Sequence, residues 1–233
     1  MDRQREFDKE LGELKNRLIH MAALAETMID LAIRELTTRD EGVAAAVPRH
    51  EDEVNRLHIE IDEAAMTLLA TQQPVAIDLR SIVAATKINS ELERIGDLVI
   101  NITQNVHVLA QQPALKPLID IPRMAELARQ MVRQSLDAFN REDPLLAQSV
   151  IMTDDQVDAL KDQVLRELLT YMMQDARAIE RGLALILIAR HLERIADHAT
   201  NIAEDVIYMI QGRDVRHPKT ARKGPGEGEA VSS

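Results

Sequence analysis

Leu92-Glu93-Arg94-Ile95-Gly96-Asp97 leads on to Asn101-Ile102 and Val106; one hundred residues later Leu192-Glu193-Arg194-Ile195-Ala196-Asp197 leads on to Asn201-Ile202 and Val206. Eight of the fifteen positions in this window are identical, and they include charged and amide residues as well as core-formers. Shared helical composition does not produce such a match, so the chain is an internal duplication. Upstream, Met131, Asp143, Ala147, Val150, Asp155, Val157 and Leu160 repeat Met28, Asp40, Ala44, Val47, Asp52, Val54 and Leu57 at an offset of 103. The offset falls to 100 across the last hairpin, so the second half has lost three residues at a loop, where deletions are tolerated.

Each half reads as three helices. From about Arg3 to Thr38, Leu11, Leu14, Leu18, Met21, Leu24, Met28 and Leu31 recur at helical spacing, and Thr38 to Gly42 breaks the pattern. A second helix carries Val54, Leu57, Ile61, Ala64 and Leu68 and stops at Gln72-Gln73-Pro74, because proline disfavours the helical conformation in the residue before it. A third, from about Asp78 to Gln111, sets Ile88, Leu92, Ile95, Val99, Ile102 and Val106 in steps of four and three, the seam of near-antiparallel packing. Pro113, Pro117 and Pro122 then mark a boundary, and the last helix repeats the seam with Ile188, Leu192, Ile195, Ala199, Ile202 and Val206. The expectation is an all-α protein: two tandem three-helix bundles related by internal duplication, with six long helices. Residues 1–112 and 113–212 form the two bundles, joined end to end, and 213–233 form a disordered tail, basic and then glycine-rich.

Aromatic residues make up 2% of the chain, so the core must be filled by Leu, Ile, Val, Ala and Met, as in a helical bundle. No cysteine is present, which removes disulfides, thiolate metal sites and cysteine nucleophiles and suits a reducing compartment. The start, MDRQREFDKELG, lacks an apolar signal core. The longest apolar run, Leu183 to Ala189, is far short of the roughly 20 residues of a membrane span. The reading is a soluble, cytoplasmic protein. A net charge of −11 argues against nucleic acid and leaves cations or basic protein surfaces as partners.

Glu93, Asp97 and Asn101 lie four residues apart, on one stripe nearly opposite the apolar seam. Glu193, Asp197 and Asn201 do likewise, and Asp205 extends that row. On the second helix of each half, Glu51 and Asn55, and Asp154 and Asp158, form a further pair. In an antiparallel hairpin, residues equidistant from the turn share a height. Glu51 then meets Asp97 and Asn55 meets Glu93; Asp154 meets Asp197 and Asp158 meets Glu193. Such carboxylates repel one another unless a cation or an arginine, Arg94 or Arg194, offsets them. Hard oxygen donors suit iron, manganese, magnesium or calcium, and His50 and His198 beside the acids leave zinc or iron open.

The doubled ERIGD/ERIAD motif, the HATNIAEDV ending, the VAIDLRSIVAATKI approach and the D-x-x-V-D-x-L element together resemble the PhoU family, over about residues 8 to 212. Members are phosphate-transport accessory proteins and negative regulators of the phosphate regulon. The resemblance implies a pair of three-helix bundles whose E(D)-x-x-x-D motifs can carry multinuclear iron or zinc clusters. The metal-site residues it implies are Glu51, Asn55, Glu93, Asp97, Asn101, Asp154, Asp158, Glu193, Asp197 and Asn201. It further implies a cytosolic homodimer or higher oligomer. Its partners would be the ATPase subunit of the phosphate ABC transporter and a sensor histidine kinase, and it would meet the membrane only through them. Asn55 replaces the usual acid, so the second half is expected to bind metal more firmly. Two other readings compete with this non-enzymatic adaptor. One is a carboxylate metal-dependent enzyme, for which the chain lacks inward Glu-x-x-His pairs, a phosphate-cradling glycine loop and a nucleophile elbow. The other is a metal-free structural scaffold.

Overall fold

Turn chemistry divides the described residues into six long helices. The computed structural model describes residues 2–40, 42–213 and 215. The helices are α1 (Asp2–Thr38), α2 (Val47–Gln72), α3 (Ile77–Ala110), α4 (Asp120–Arg141), α5 (Pro144–Gln174) and α6 (Ile179–Gln211), and no strand occurs among the described residues. Short 3-10 turns, Val43–Ala46 and Ala176–Ala178, precede α2 and α6. α2 ends where Gln73 takes a left-handed conformation before Pro74, as the proline predicts. α5 opens on an N-cap: the Asp143 side chain accepts from the backbone N–H groups of Leu145 and Leu146, with Pro144 at the first helical position. Gly212, with φ 65°, closes α6. Arg213 and Val215 apart, the proposed tail lies outside the described residues.

The first half is closed by two polar ties. Glu35 is 1% exposed; its Oε2 accepts from Ala44 N at 2.8 Å, and Oε1 lies 3.0 Å from His107 Nδ1 near the end of α3. Arg39 donates to the carbonyls of Leu109, Ala110 and Gln112, putting a cation on the C-terminal end of α3, where the helix leaves acceptors unpaired.

α1, α2 and α3 form one bundle and α4, α5 and α6 the other. The seam residues of α3 and α6 are fully buried, and the burial pattern of residues 91–103 recurs position by position over 191–203. The bundles are not joined end to end. They lie side by side, α3 against α6 and α1 against α4, and their apolar residues form one continuous core. The physical reason is a second buried face on each third helix. Lys87 Nζ pairs with Asp205 Oδ1 at 3.0 Å. Glu91 Oε2 accepts from His198 Nδ1 at 2.5 Å and Asn201 Nδ2 at 3.2 Å, and Arg80 Nε donates to the Met209 carbonyl at 2.8 Å. This face mixes charge with Ala84 and Leu98, so apolar periodicity alone does not reveal it.

Two stability changes follow. Glu91→Ala leaves two donors between the halves without their acceptor and should lower stability by about 1–3 kcal/mol, read as a shifted urea midpoint. A Cβ at Gly96 meets Val54 Cγ1 at 3.4 Å, an ordinary contact, and the repeat holds alanine at the equivalent Ala196. Gly96→Ala should therefore raise stability by roughly 0.5–1 kcal/mol through helix propensity.

Candidate functional site

The α5–α6 hairpin presents the carboxylates as the heights predict. Val157, Leu160, Val164 and Leu168 turn into the core, which carries Asp154 and Asp158 around to the side facing α6. From α6, Glu193 and Asp197 meet them. Lys161 Nζ bridges the two helices, 3.0 Å from Asp158 Oδ1 and 3.2 Å from Glu193 Oε1, so those two acids stand abreast. Burial, together with the charges of Asp197, Asp158, Asp155 and Glu193, pushes the Asp154 carboxyl up to about 6. Asp197 is also raised, by burial and then by Glu193 and Asp158, with partial relief from His198 and Lys161. The Lys161 ammonium is held above its usual range by its hydrogen bonds to Asp158 and Glu193, against the opposing effect of burial. Lys161 thus offsets two of the four carboxylates, and the cluster keeps excess negative charge.

Lys161 is the member of the cluster that the spacing of the acids did not single out. At the offset of 103 its counterpart is His58, so the signal was a departure from the repeat rather than a match to it.

The first hairpin keeps the register with weaker charge. Asn89 Nδ2 donates to the His58 carbonyl and to Asp62 Oδ1, each at 2.9 Å, and this with the Gly96–Val54 approach holds Glu51 close to the height of Asp97. Asn55 Nδ2 turns back along its own helix to Glu51 Oε1. Asp97 is exposed, and Glu93 and Asn101 are half-buried. Arg94 lies 3.5 Å from Glu91 rather than beside a motif acid.

Two residues of the second acidic row, and the histidine beside it, turn away from the hairpin. Asn201 donates to Glu91 across the seam between the halves. Asp205, 4% exposed, pairs with Lys87. His198, 8% exposed, bonds Glu91 and is neither a surface residue nor a partner of the acidic pairs.

Asp154, Asp158, Glu193 and Asp197 have the donor chemistry for a hard or borderline cation, and their excess charge favours one. Among the described residues no three His, Asp or Glu side chains are gathered to metal-binding distance. A cation would therefore draw the carboxylates inward and take contacts now made by Lys161.

Fold and site define a duplicated helical-bundle protein that displays acidic pairs on the outer side of its hairpins. The PhoU domain profile matches residues 18–106 and again 121–206, and the chain belongs to that family. A phosphate-specific transport system accessory protein PhoU homolog of Aquifex aeolicus is 42% identical over 216 residues, covering 93% of this chain and 98% of its own. The homolog of Pseudomonas putida is 40% identical over 213 residues, covering 91% and 83%. The crystal structure of PhoU from Pseudomonas aeruginosa superposes with a TM-score of 0.85 at 39% identity, covering 89% of this chain and 100% of that one. That of the phosphate transport system regulatory protein PhoU from Streptococcus pneumoniae gives 0.82 at 28% identity, covering 90% and 99%.

Folding raises the Asp154 pKa from 3.8 to about 6, so the native state holds this proton more tightly than the unfolded chain. The group's contribution to stability therefore falls as pH rises through that window. Asp154→Asn should match the parent near the low end, about pH 4, and exceed it in Tm above about pH 6, in thermal melts without divalent cation.

Proposed function

We propose that this protein is a cytoplasmic regulatory adaptor of phosphate homeostasis, acting without catalytic turnover. It restrains phosphate-regulon signalling and phosphate uptake through contacts with the ATPase subunit of the phosphate ABC transporter and with a sensor histidine kinase. It works as a homodimer. The observation that carries this reading is the match of both halves, in order, to the PhoU domain. Relatives named as accessory proteins of the phosphate-specific transport system support it, as does the solved structure titled a regulatory protein. No helix among the described residues is long and apolar enough to cross a membrane, so contact with the transporter would be peripheral.

Asp154, Asp158, Glu193 and Asp197 would hold iron or zinc in the second half. Glu51, Glu93 and Asp97 would form the weaker counterpart, with Asn55 supplying an amide. Bound metal would supply positive charge and cross-link α5 to α6. Without it, Lys161 already supplies part of that charge and ties Asp158 to Glu193. The two helices are accordingly tied together in either condition, and metal alters the charge the hairpin displays.

The test has two arms. Protein purified without chelator or nickel resin should carry iron or zinc by elemental analysis, and Asp154→Asn with Asp197→Asn should lose most of it while keeping the parent's circular dichroism. Equal metal content in the two proteins removes the site. Deleting the gene should release a phosphate-regulon reporter in phosphate-rich medium; unchanged repression rejects the adaptor role.

A further inference from the structure

The acidic cluster is one end of a longer surface. At about 100° per residue, Lys161, Leu165, Leu169 and Met172 continue the stripe of Asp154 and Asp158 along α5. On α6, Ile179, Leu183, Ile186 and Arg190 continue the stripe of Glu193 and Asp197 in the opposite direction. The helices are antiparallel, so carboxylates gather at one end and apolar residues at the hairpin tip. Leu165 is 39% exposed, Leu169 45% and Leu183 50%, which is unusual for adjacent leucines on a protein surface. Beside Leu165, on the side toward the acids, lies a groove of about 210 Å³, floored by Val164, Leu165, Ile186 and Ala189 and bounded by Lys161, Arg190 and Glu193. It has room for one large apolar side chain.

The repeat supplies an internal comparison. Where the second half has Leu165 and Ile186, the first has Asp62 and Thr86, and Asp62 is engaged by Asn89. Met66 and Val83 stand at the positions of Leu169 and Leu183, so the first half keeps both ends of the strip and loses its middle. An apolar strip that leads past Lys161 and Arg190 to four carboxylates belongs to the second hairpin.

We propose that the α5–α6 groove docks an amphipathic helix of a partner protein, with an apolar anchor seated between Leu165 and Ile186 and lysines or arginines reaching Asp154, Asp158, Glu193 and Asp197. The charge pattern selects this occupant. A second copy of this chain, at net charge −11, would bring like charge to the acidic end. The strip from Asp154 to Leu169 measures about 22 Å at 1.5 Å per residue, the length of a helix of about 15 residues. Since Lys161 engages Asp158 and Glu193, Asp154 and Asp197 are the acids most in need of a basic group. The inference rests on the adaptor reading for its biological sense and assigns that reading its contact face.

The probe is a fluorescein-labelled synthetic helix of about 16 residues. Its leucines follow i, i+3, i+4 spacing and its lysines are confined to one end. A peptide of the same composition with scrambled order serves as control. Fluorescence anisotropy is read on the full chain in EDTA, so metal does not compete. The ordered peptide should bind saturably and the scrambled one should not. Leu165→Glu with Leu169→Glu should weaken binding roughly tenfold or more, as loss of a central anchor does. Asp154→Asn with Asp197→Asn should weaken it and flatten its salt dependence. Met66→Glu with Val83→Glu, in the first half, should change it less than about threefold. These residues are surface positions, and matching thermal melts verify the fold of each variant. Equal binding of the scrambled peptide, or an equal loss in the first-half pair, overturns the proposal. So does a concentration-dependent dimer in sedimentation that dissociates in the Leu165/Leu169 variant, because a second copy then owns the face. Unchanged reporter repression in the deletion strain would reject the adaptor reading while leaving the peptide result in place.

Discussion

The contact between α3 and α6 is the constraint on which the rest of the molecule depends. Each of these helices is buried once inside its own bundle and again against the other, so neither can turn without breaking two sets of contacts. The second face is held by Lys87 with Asp205, by Glu91 with His198 and Asn201, and by Arg80 with the Met209 carbonyl. Paired groups of this kind add little net attraction, but a sliding or rotated arrangement would strand them away from water, so they select one register. With that register set, the outer sides of α2 with α3 and of α5 with α6 are the surfaces left free to carry function.

Those two surfaces have diverged under the same backbone. In the second hairpin, Asp154, Asp158, Glu193 and Asp197 stand together with Lys161 between Asp158 and Glu193, and burial with the residual repulsion raises the carboxyls of Asp154 and Asp197. In the first, an amide at position 55 replaces an acid and bonds Glu51, and a histidine takes the place of the lysine. Duplication gave the chain two copies of one scaffold. Individual substitutions then made one copy strongly acidic with an apolar flank and the other weaker on both counts.

Much of this was legible from the residues. The end of α2 follows from Pro74, whose backbone requirement is local, and the buried seams follow from apolar spacing in α3 and α6. The hairpin heights also follow, because antiparallel helices joined by a short turn have only one register variable, and Lys161 spanning Asp158 and Glu193 agrees with it. The fate of Asn201 and Asp205 was not legible, for a geometric reason. A step of four residues overshoots a full turn by about 40°, so a row from Glu193 to Asp205 drifts about 120° around the helix. Its first members face α5 and the solvent, and its last face α3. Spacing shows that such residues follow one another; only the packing decides which neighbour covers the end of the spiral.

The side-by-side contact also bears on ancestry. A half-length forebear with a single third helix would have exposed the face now covered, and two such chains pairing through it would have formed a symmetric couple with the same polar contact made twice. Fusion freed the two contacts to age separately. Glu91 still meets position 198, whereas its repeat counterpart is His191, for which the same symmetry supplies Leu98, a side chain with no acceptor. His191 Nδ1 is buried without a hydrogen-bond partner, and burial, with Arg194 and Arg190 nearby, lowers its affinity for a proton. The unpartnered Nδ1 marks the point at which the two copies of the contact between the halves have come to differ.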